Sequence, residues 1–221
     1  MKHRIFLCLI LILLLPVVAQ ADDIKIEGTT DIEDTRLIEA AATTNYGSEE
    51  KLSVSSYTGS GHRTVMRFDI SAIPGGSSIS DAQLYLYFHA KYNTDAMEIT
   101  SHACSQDAWV EMEATWNIYS TGNNWETAGG DFAEAYSDLE TLTDSYGWYS
   151  WDVTSIISDD LVSGESNIFL VALSAQGSVG YKTFHSTEYA SLQPYLDITY
   201  TTDGEPAEKK ARRRPIIIKG D

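Results

Sequence analysis

The sequence predicts an all-β protein, a jelly-roll β-sandwich with one short helix. Three observations carry this reading. Apolar and polar residues alternate with the period of a strand in many short stretches. Turn residues separate these stretches at intervals of about 8–12 positions. Only residues 154–162 space their apolar side chains, Ile156, Ile157 and Leu161, in a helical pattern. Many strands with almost no helix argue for two packed sheets, and Greek-key connections make the jelly roll the expected topology.

The strands follow in order. Residues 34–39 read as the first, after an acidic lead with Ile24 and Ile26 in alternation. Residues 51–55 place Leu52 and Val54 on one face, and residues 62–70 alternate strongly. Residues 79–88 form a long strand with Ala82, Leu84, Leu86 and Phe88 on one side. Further strands are expected at 97–102, 147–153, 167–172, 181–186 and 194–200. Residues 107–135 are irregular, with Trp109, Trp116 and Trp125 among glycines and asparagines, and read as a long connection.

The aromatic stretch Gly147-Trp148-Tyr149-Ser150-Trp151-Asp152-Val153-Thr154 organises the rest. Trp148 and Trp151 are three apart, so strand alternation puts the two tryptophans on opposite faces. A tryptophan brings a large apolar area that is costly to leave in water. One must face the core; the other is covered by a second layer or offered to a ligand.

The ends differ from the body. Lys2 and Arg4, an apolar run at 5–15 and Ala19-Gln20-Ala21 have the form of a secretory signal, expected to span residues 1–21. The run is too short for a comfortable membrane span, so the expected destination is secretion or the cell surface. Residues 22–201 make one domain, long enough for a core of its own. Residues 202–221 are a basic tail, read as disordered or as an attachment to an acidic polymer or a partner chain. The formal net charge is −17 over 221 residues, yet residues 22–200 hold only seven basic side chains: Lys25, Arg36, Lys51, Arg63, Arg67, Lys91 and Lys182. Such a body excludes nucleic acid and anionic membrane as partners. Cys8 leaves with the signal, so Cys104 has no partner for an intramolecular disulfide and reads as a buried small hydrophobe.

Several pieces occur in a telling order. They are Asp34-Thr35, Asn45-Tyr46-Gly47, and Arg63 through Arg67-Phe68-Asp69-Ile70 with Ile73-Pro74. Then come Ile79, Ala82, Leu84 and Leu86-Tyr87, and Trp109, Glu111, Thr115 and Trp116-Asn117. Gly147-Trp148, Trp151-Asp152-Val153-Thr154, Phe184-His185-Ser186-Thr187-Glu188, Pro194-Tyr195-Leu196 and Ile198-Thr199-Tyr200 complete the set. Over residues 31–201 this set resembles the DNRLRE family, the disaggregatase-related domain of archaeal and bacterial surface proteins. The resemblance implies a jelly roll of the carbohydrate-binding-module kind, and some family members are similar to modules for acidic polysaccharides such as alginate. Members are often joined to polysaccharide-acting enzymes; no second domain is expected in this sequence, which leaves an autonomous surface or matrix protein as an alternative.

No nucleophile elbow, HExxH or phosphate loop occurs, and the histidines lack the close spacing of a helical metal site. Glu111 and Glu113 read as solvated surface rather than a glycosidase pair, so the expectation is no enzyme. Calcium is the one cofactor the sequence suggests. Asp34, Glu39 and Asp197 would supply carboxylates to a structural Ca²⁺ if the first and last strands are neighbours; otherwise they are exposed acids on edge positions. Sugar rings stack on aromatics while Arg and carboxylates hold their polar groups. Trp148, Trp125, Trp109, Tyr46, Arg63 and Glu188 are the candidate ligand-binding residues, with Trp125 the leading exposed aromatic. Arg63 and Glu188 are equally readable as a buried ion pair, and Trp116 and Trp151 as core. The expected function is an exported, non-catalytic polysaccharide-binding module; the alternative is a structural surface protein that self-associates or binds protein partners.

Overall fold

The computed structural model describes residues 21–172 and 180–202. The apolar run at 5–15, Cys8 and the basic run at 209–214 lie outside the described residues. The described chain forms β1 (Ala21–Glu27), β2 (Ile32–Ile38), β3 (Lys51–Val54), β4 (His62–Asp69), β5 (Ser78–Lys91), β6 (Met97–Ala103), β7 (Ile118–Ser120) and β8 (Asn123–Asn124). After these come β9 (Asp138–Leu142), β10 (Gly147–Asp152), the helix α1 (Thr154–Asp160), β11 (Glu165–Ala172), β12 (Lys182–His185) and β13 (Tyr195–Thr201).

Two antiparallel sheets face each other. One follows the order β2-β4-β11-β6-β9. The other is built on β5, the longest strand at 14 residues. Gln83 to Tyr85 of β5 pair with both β10 and β13, and Phe88 pairs with both β10 and β12. So β12 and β13 lie end to end along one side of β5, and β10 takes the other. β3 pairs with β12 and β1 with β13. From β1 to β6 the chain changes sheet at every strand, which is why β-sandwich pairing here is long-range.

Alternation explains the core. Ala82, Leu84, Leu86 and Phe88 of β5 point inward, against Met66 and Phe68 of β4 and Ile168 and Leu170 of β11. Trp151 of β10 is fully buried, and its Nε1 donates to the Ile99 carbonyl of β6 at 2.9 Å. That bond ties the two sheets across the core. α1 has only 7 residues, too few to be stable alone. Ile156 and Ile157 anchor it in the core, and the Asp152 carboxylate accepts the Thr154 amide at its start.

A second apolar cluster lies on the outer face of the β2-containing sheet. Leu37, Val65 and Phe169 point away from the first core and are roofed by Trp109, Ala114 and Trp125. The roof is the irregular segment 104–133, which carries the small hairpin β7–β8. Gly129 and Gly130 let it lie flat. Both have positive φ, and an added Cβ would strike Arg63 and Trp116 at one position and the Phe169 ring at the other. The long connection is therefore a structural layer. Cys104 sits at its start, where burial pushes the thiol up to about 12 and its Sγ donates to the Gln106 carbonyl, so the group is inert at neutral pH.

Candidate functional site

The β2 sheet is roofed, but the outer face of the β5 sheet is open. Tyr85, Tyr87, His89 and Lys91 alternate with the core residues of β5 and so emerge on this face. Trp148 on β10 stands beside Tyr87, its register partner, in an edge contact at 5.4 Å, and is 40% exposed. Tyr195 of β13 stacks on Tyr85 at 4.6 Å and meets Trp148 edge-on at 5.1 Å. The row continues through Tyr87 to His185 and from His185 to His89. The mutual packing fixes these rings, so they present apolar surface at little entropic cost.

At the His89 end the row runs into a cavity of about 360 Å³. Arg36, Lys51, Lys91, His62, His89 and Tyr181 are among its lining residues, which include no carboxylate. In a chain of net charge −17 this is unexpected by chance, since the other two cavities described have Asp31, Glu33, Asp69 and Glu165 around Arg67, or Asp23, Asp81 and Asp197 around Lys25. Burial, and then the nearby Arg36, lowers His62 to about 4; burial, and then His89, does the same for His185. The imidazoles are thus neutral at pH 7, and the positive charge comes from Arg36, Lys51 and Lys91. Arg36 is held by Glu49 at 2.7 Å and lies over the Tyr46 ring, while its buried Nε has no hydrogen-bond partner. Lys91 is paired with Asp144 at 2.6 Å, and Lys51 is exposed.

A different chemistry collects beside β2. Asp34, Glu111 and Glu188 bring one carboxylate oxygen each within 4.8 Å of the others. Asp34 is 1% exposed. Its amide donates to Glu111 Oε1, and its Oδ2 accepts the Thr187 amide. Burial, and then repulsion from Glu188, pushes the Asp34 carboxyl well above its ordinary range. Burial is also the main cause that lifts Glu111 to about 7, with Glu188 and Glu33 adding repulsion. Asn45 fixes Glu111 in place, since its Nδ2 donates to the carbonyls of Glu111 and Ala114. Gly47 completes the clasp because an added Cβ would collide with the Glu111 carbonyl. Gly47→Ala should therefore cost about 2 kcal/mol by overpacking, measured as a lower urea midpoint; an unchanged midpoint would show that the loop yields freely.

The sequence candidates are distributed unevenly. Trp148 is on the open face, as an exposed aromatic should be. Trp109 and Trp125 are 1% and 4% exposed and belong to the roof, so neither is available to a ligand. Trp125 was readable as exposed because glycines and asparagines surround it, but it packs on Phe169 and donates to the Thr115 carbonyl. Arg63 pairs with no carboxylate among the described residues. It donates to the Gly129 carbonyl and stacks on Trp116 and Phe132, so it anchors the roof. Tyr46 contacts Arg36 at the edge of the cationic cavity, and Glu188 belongs to the acidic trio. Asp34, Glu39 and Asp197 do not meet. The neighbours of the last strand are β1 and β5, not the strand that carries Asp34. Asp197 is in the other sheet, beside Lys25 and Gln83, and Glu39 accepts the Gly61 amide. Sequence reasoning missed the cavity and set Glu111 aside; that the cavity lining gathers Arg36, Lys51 and Lys91 with no carboxylate among its residues is not visible until strands are paired.

An open, aromatic sheet face beside a polar cavity on a β-sandwich is a common arrangement for binding sugars. The model of carbohydrate-binding module family 96 matches residues 26–200, from β1 to β13. The chain belongs to carbohydrate-binding module family 96. No curated protein matches it. In this family 96 module the match takes in both faces, the roof and the acidic trio, and it makes a polysaccharide the partner class.

Proposed function

We propose that this protein is an exported, non-catalytic module that binds an anionic polysaccharide across the outer face of its β5 sheet. The observation that carries the reading is the carboxylate-free cavity at the end of the aromatic row. Pyranose faces would stack on Trp148, Tyr87 and Tyr195, and acidic substituents would meet Arg36, Lys51 and Lys91. The neutral His62 and His89 offer hydrogen bonds to hydroxyls. The signal-like start of the sequence supports export, and the cell surface or its matrix is the proposed place of action.

The non-catalytic part rests on where the perturbed carboxylates lie. Raised carboxyl pKa values often mark an acid catalyst. Here Asp34 is 1% exposed beneath Glu111 and the 186–188 turn, with no room for a sugar beside it. The aromatic row has no comparable pair.

Affinity electrophoresis tests the reading. Mobility should be retarded by a polyuronate gel and not by a neutral glucan. Lys51→Ala with Lys91→Ala, and separately Trp148→Ala, should each weaken retardation about 10-fold or more, a loss of about 1.4 kcal/mol. Raised salt should weaken binding in the wild type, because exposed charges are screened. Equal retardation by neutral and acidic polymers, or no effect of either variant, would overturn the proposal.

A further inference from the structure

We propose that Asp34, Glu111 and Glu188 form a binding site for one calcium ion, which clamps the roof and the turn after β12 onto β2. Three observations point to a ligand. The three carboxylates converge from distant parts of the chain, with Glu111 77 residues and Thr187 153 residues from Asp34. No lysine or arginine forms an ion pair with any of the three among the described residues. And two of their oxygens, Asp34 Oδ1 and Glu188 Oε2, are buried without a hydrogen-bond partner.

The last point is the strongest. Asp34 is 1% exposed, and a buried carboxylate oxygen without a donor carries a large desolvation cost. The same chain satisfies Asp34 Oδ2 with the Thr187 amide and Glu111 Oε1 with the Asp34 amide. The neighbourhood is well provided with donors, yet these two oxygens are left over. A cation would satisfy both and would cancel the repulsion among the carboxylates.

The donor set selects the kind of cation. All three side chains offer hard oxygen and none offers nitrogen or sulfur, which disfavours zinc and copper. Ligands about 2.4 Å from a single calcium ion lie no more than about 4.8 Å apart, and the three oxygens satisfy that limit. Calcium tolerates irregular geometry and bidentate carboxylates, whereas magnesium demands an octahedron and keeps its waters. A half-buried trio with fixed backbone contacts suits the former.

The residues also explain why the site would matter. Asp34 is on β2, two positions before Arg36 on the same side of the strand. Ser186 Oγ donates to the Glu49 carbonyl, and Glu49 holds Arg36. Asn45 holds Glu111 from the same loop. The ion would join β2, the roof and the 186–188 turn at one point, in a domain whose described part contains no disulfide.

Titration calorimetry and thermal melts of the full chain test this, in EDTA against millimolar CaCl₂ or MgCl₂. One calcium ion should bind per chain and raise Tm by about 5 °C or more, with a clearly smaller effect of magnesium. Asp34→Asn and Glu188→Gln each keep one acceptor oxygen for the bond the parent accepts, and each should remove the calcium heat and the Tm shift. No heat and no shift in the wild type would overturn the proposal. So would an undiminished response in both variants, which would place calcium elsewhere, or an equal response to magnesium, which would remove the calcium assignment.

Discussion

Trp151→Ala should destabilise the fold by about 4 kcal/mol, the scale of emptying a large aromatic site in a packed core. Trp151 is fully buried, packs edge-on against Phe184 at 6.0 Å, and donates to the Ile99 carbonyl of the opposite sheet. The substitution removes the ring and also the Nε1 hydrogen bond to that carbonyl, which contributes a further ~1 kcal/mol. Domain stabilities are about 5–15 kcal/mol, so the variant should be largely unfolded at moderate urea. Trp148→Ala is the control, because its ring is 40% exposed and sits only three positions away. It should change stability by less than about 1 kcal/mol while weakening polysaccharide binding about 10-fold or more. Urea denaturation with a common m-value decides the matter. Equal destabilisation by the two variants would show that the outer aromatic row is structural.

In a chelator, Glu111→Gln should stabilise the protein at pH 8 and leave it almost unchanged at pH 5. The folded-state carboxyl is lifted to about 7, well above its ordinary 4.5, chiefly by burial. The unfolded chain releases this proton near its ordinary pKa, and the folded chain holds it until about pH 7. Between those values the folded state binds more protons, so its stability falls as pH rises through that window. Above it, both states are ionised and the full penalty is present. A shift of this size corresponds to about 3 kcal/mol, reduced to about 2 because Glu111 is only half-buried. Glutamine carries no charge and avoids the penalty while still accepting the Asp34 amide. With calcium bound the sign should reverse, since the ion requires the ionised carboxylate. Denaturation midpoints of wild type and variant at the two pH values, with and without calcium, read this directly. A pH-independent difference in chelator would show that Glu111 titrates as an ordinary exposed carboxylate.

Much of the fold is legible because strand alternation is a local property. Ala82, Leu84, Leu86 and Phe88 declare the inner face of β5, and Tyr85, Tyr87 and His89 the outer one. The strand at residues 34–39 is observed as Ile32–Ile38 and the helix at 154–162 as Thr154–Asp160. β1 shows only the short alternation Ile24, Ile26, and β9 fully buries only Leu142, so neither reads as a strand of its own. So short an alternation carries little periodicity. Pairing with β13 and β6 supplies the backbone hydrogen bonds that make these segments strands.

The candidate site is less legible, for a different reason. Trp148 could be named from its strand, and Asp34 and Glu188 could be named individually. That Trp125 turns inward follows from Phe169, 44 positions later in the chain, on the sheet face that Trp125 roofs. The cavity needs β2, β3, β4 and β5 together before its lack of carboxylates is visible. The sequence by itself determined the sandwich and its inner faces, because apolar alternation is read one strand at a time; the carbohydrate-binding character was what the resemblance of its ordered pieces implied. Only the tertiary structure decided which tryptophans stay exposed, where the few cations gather, and that Asp34 meets Glu111 and Glu188 rather than Glu39 and Asp197. Those outcomes depend on which strands pair across long stretches of chain, and strand pairing is set by the whole core at once.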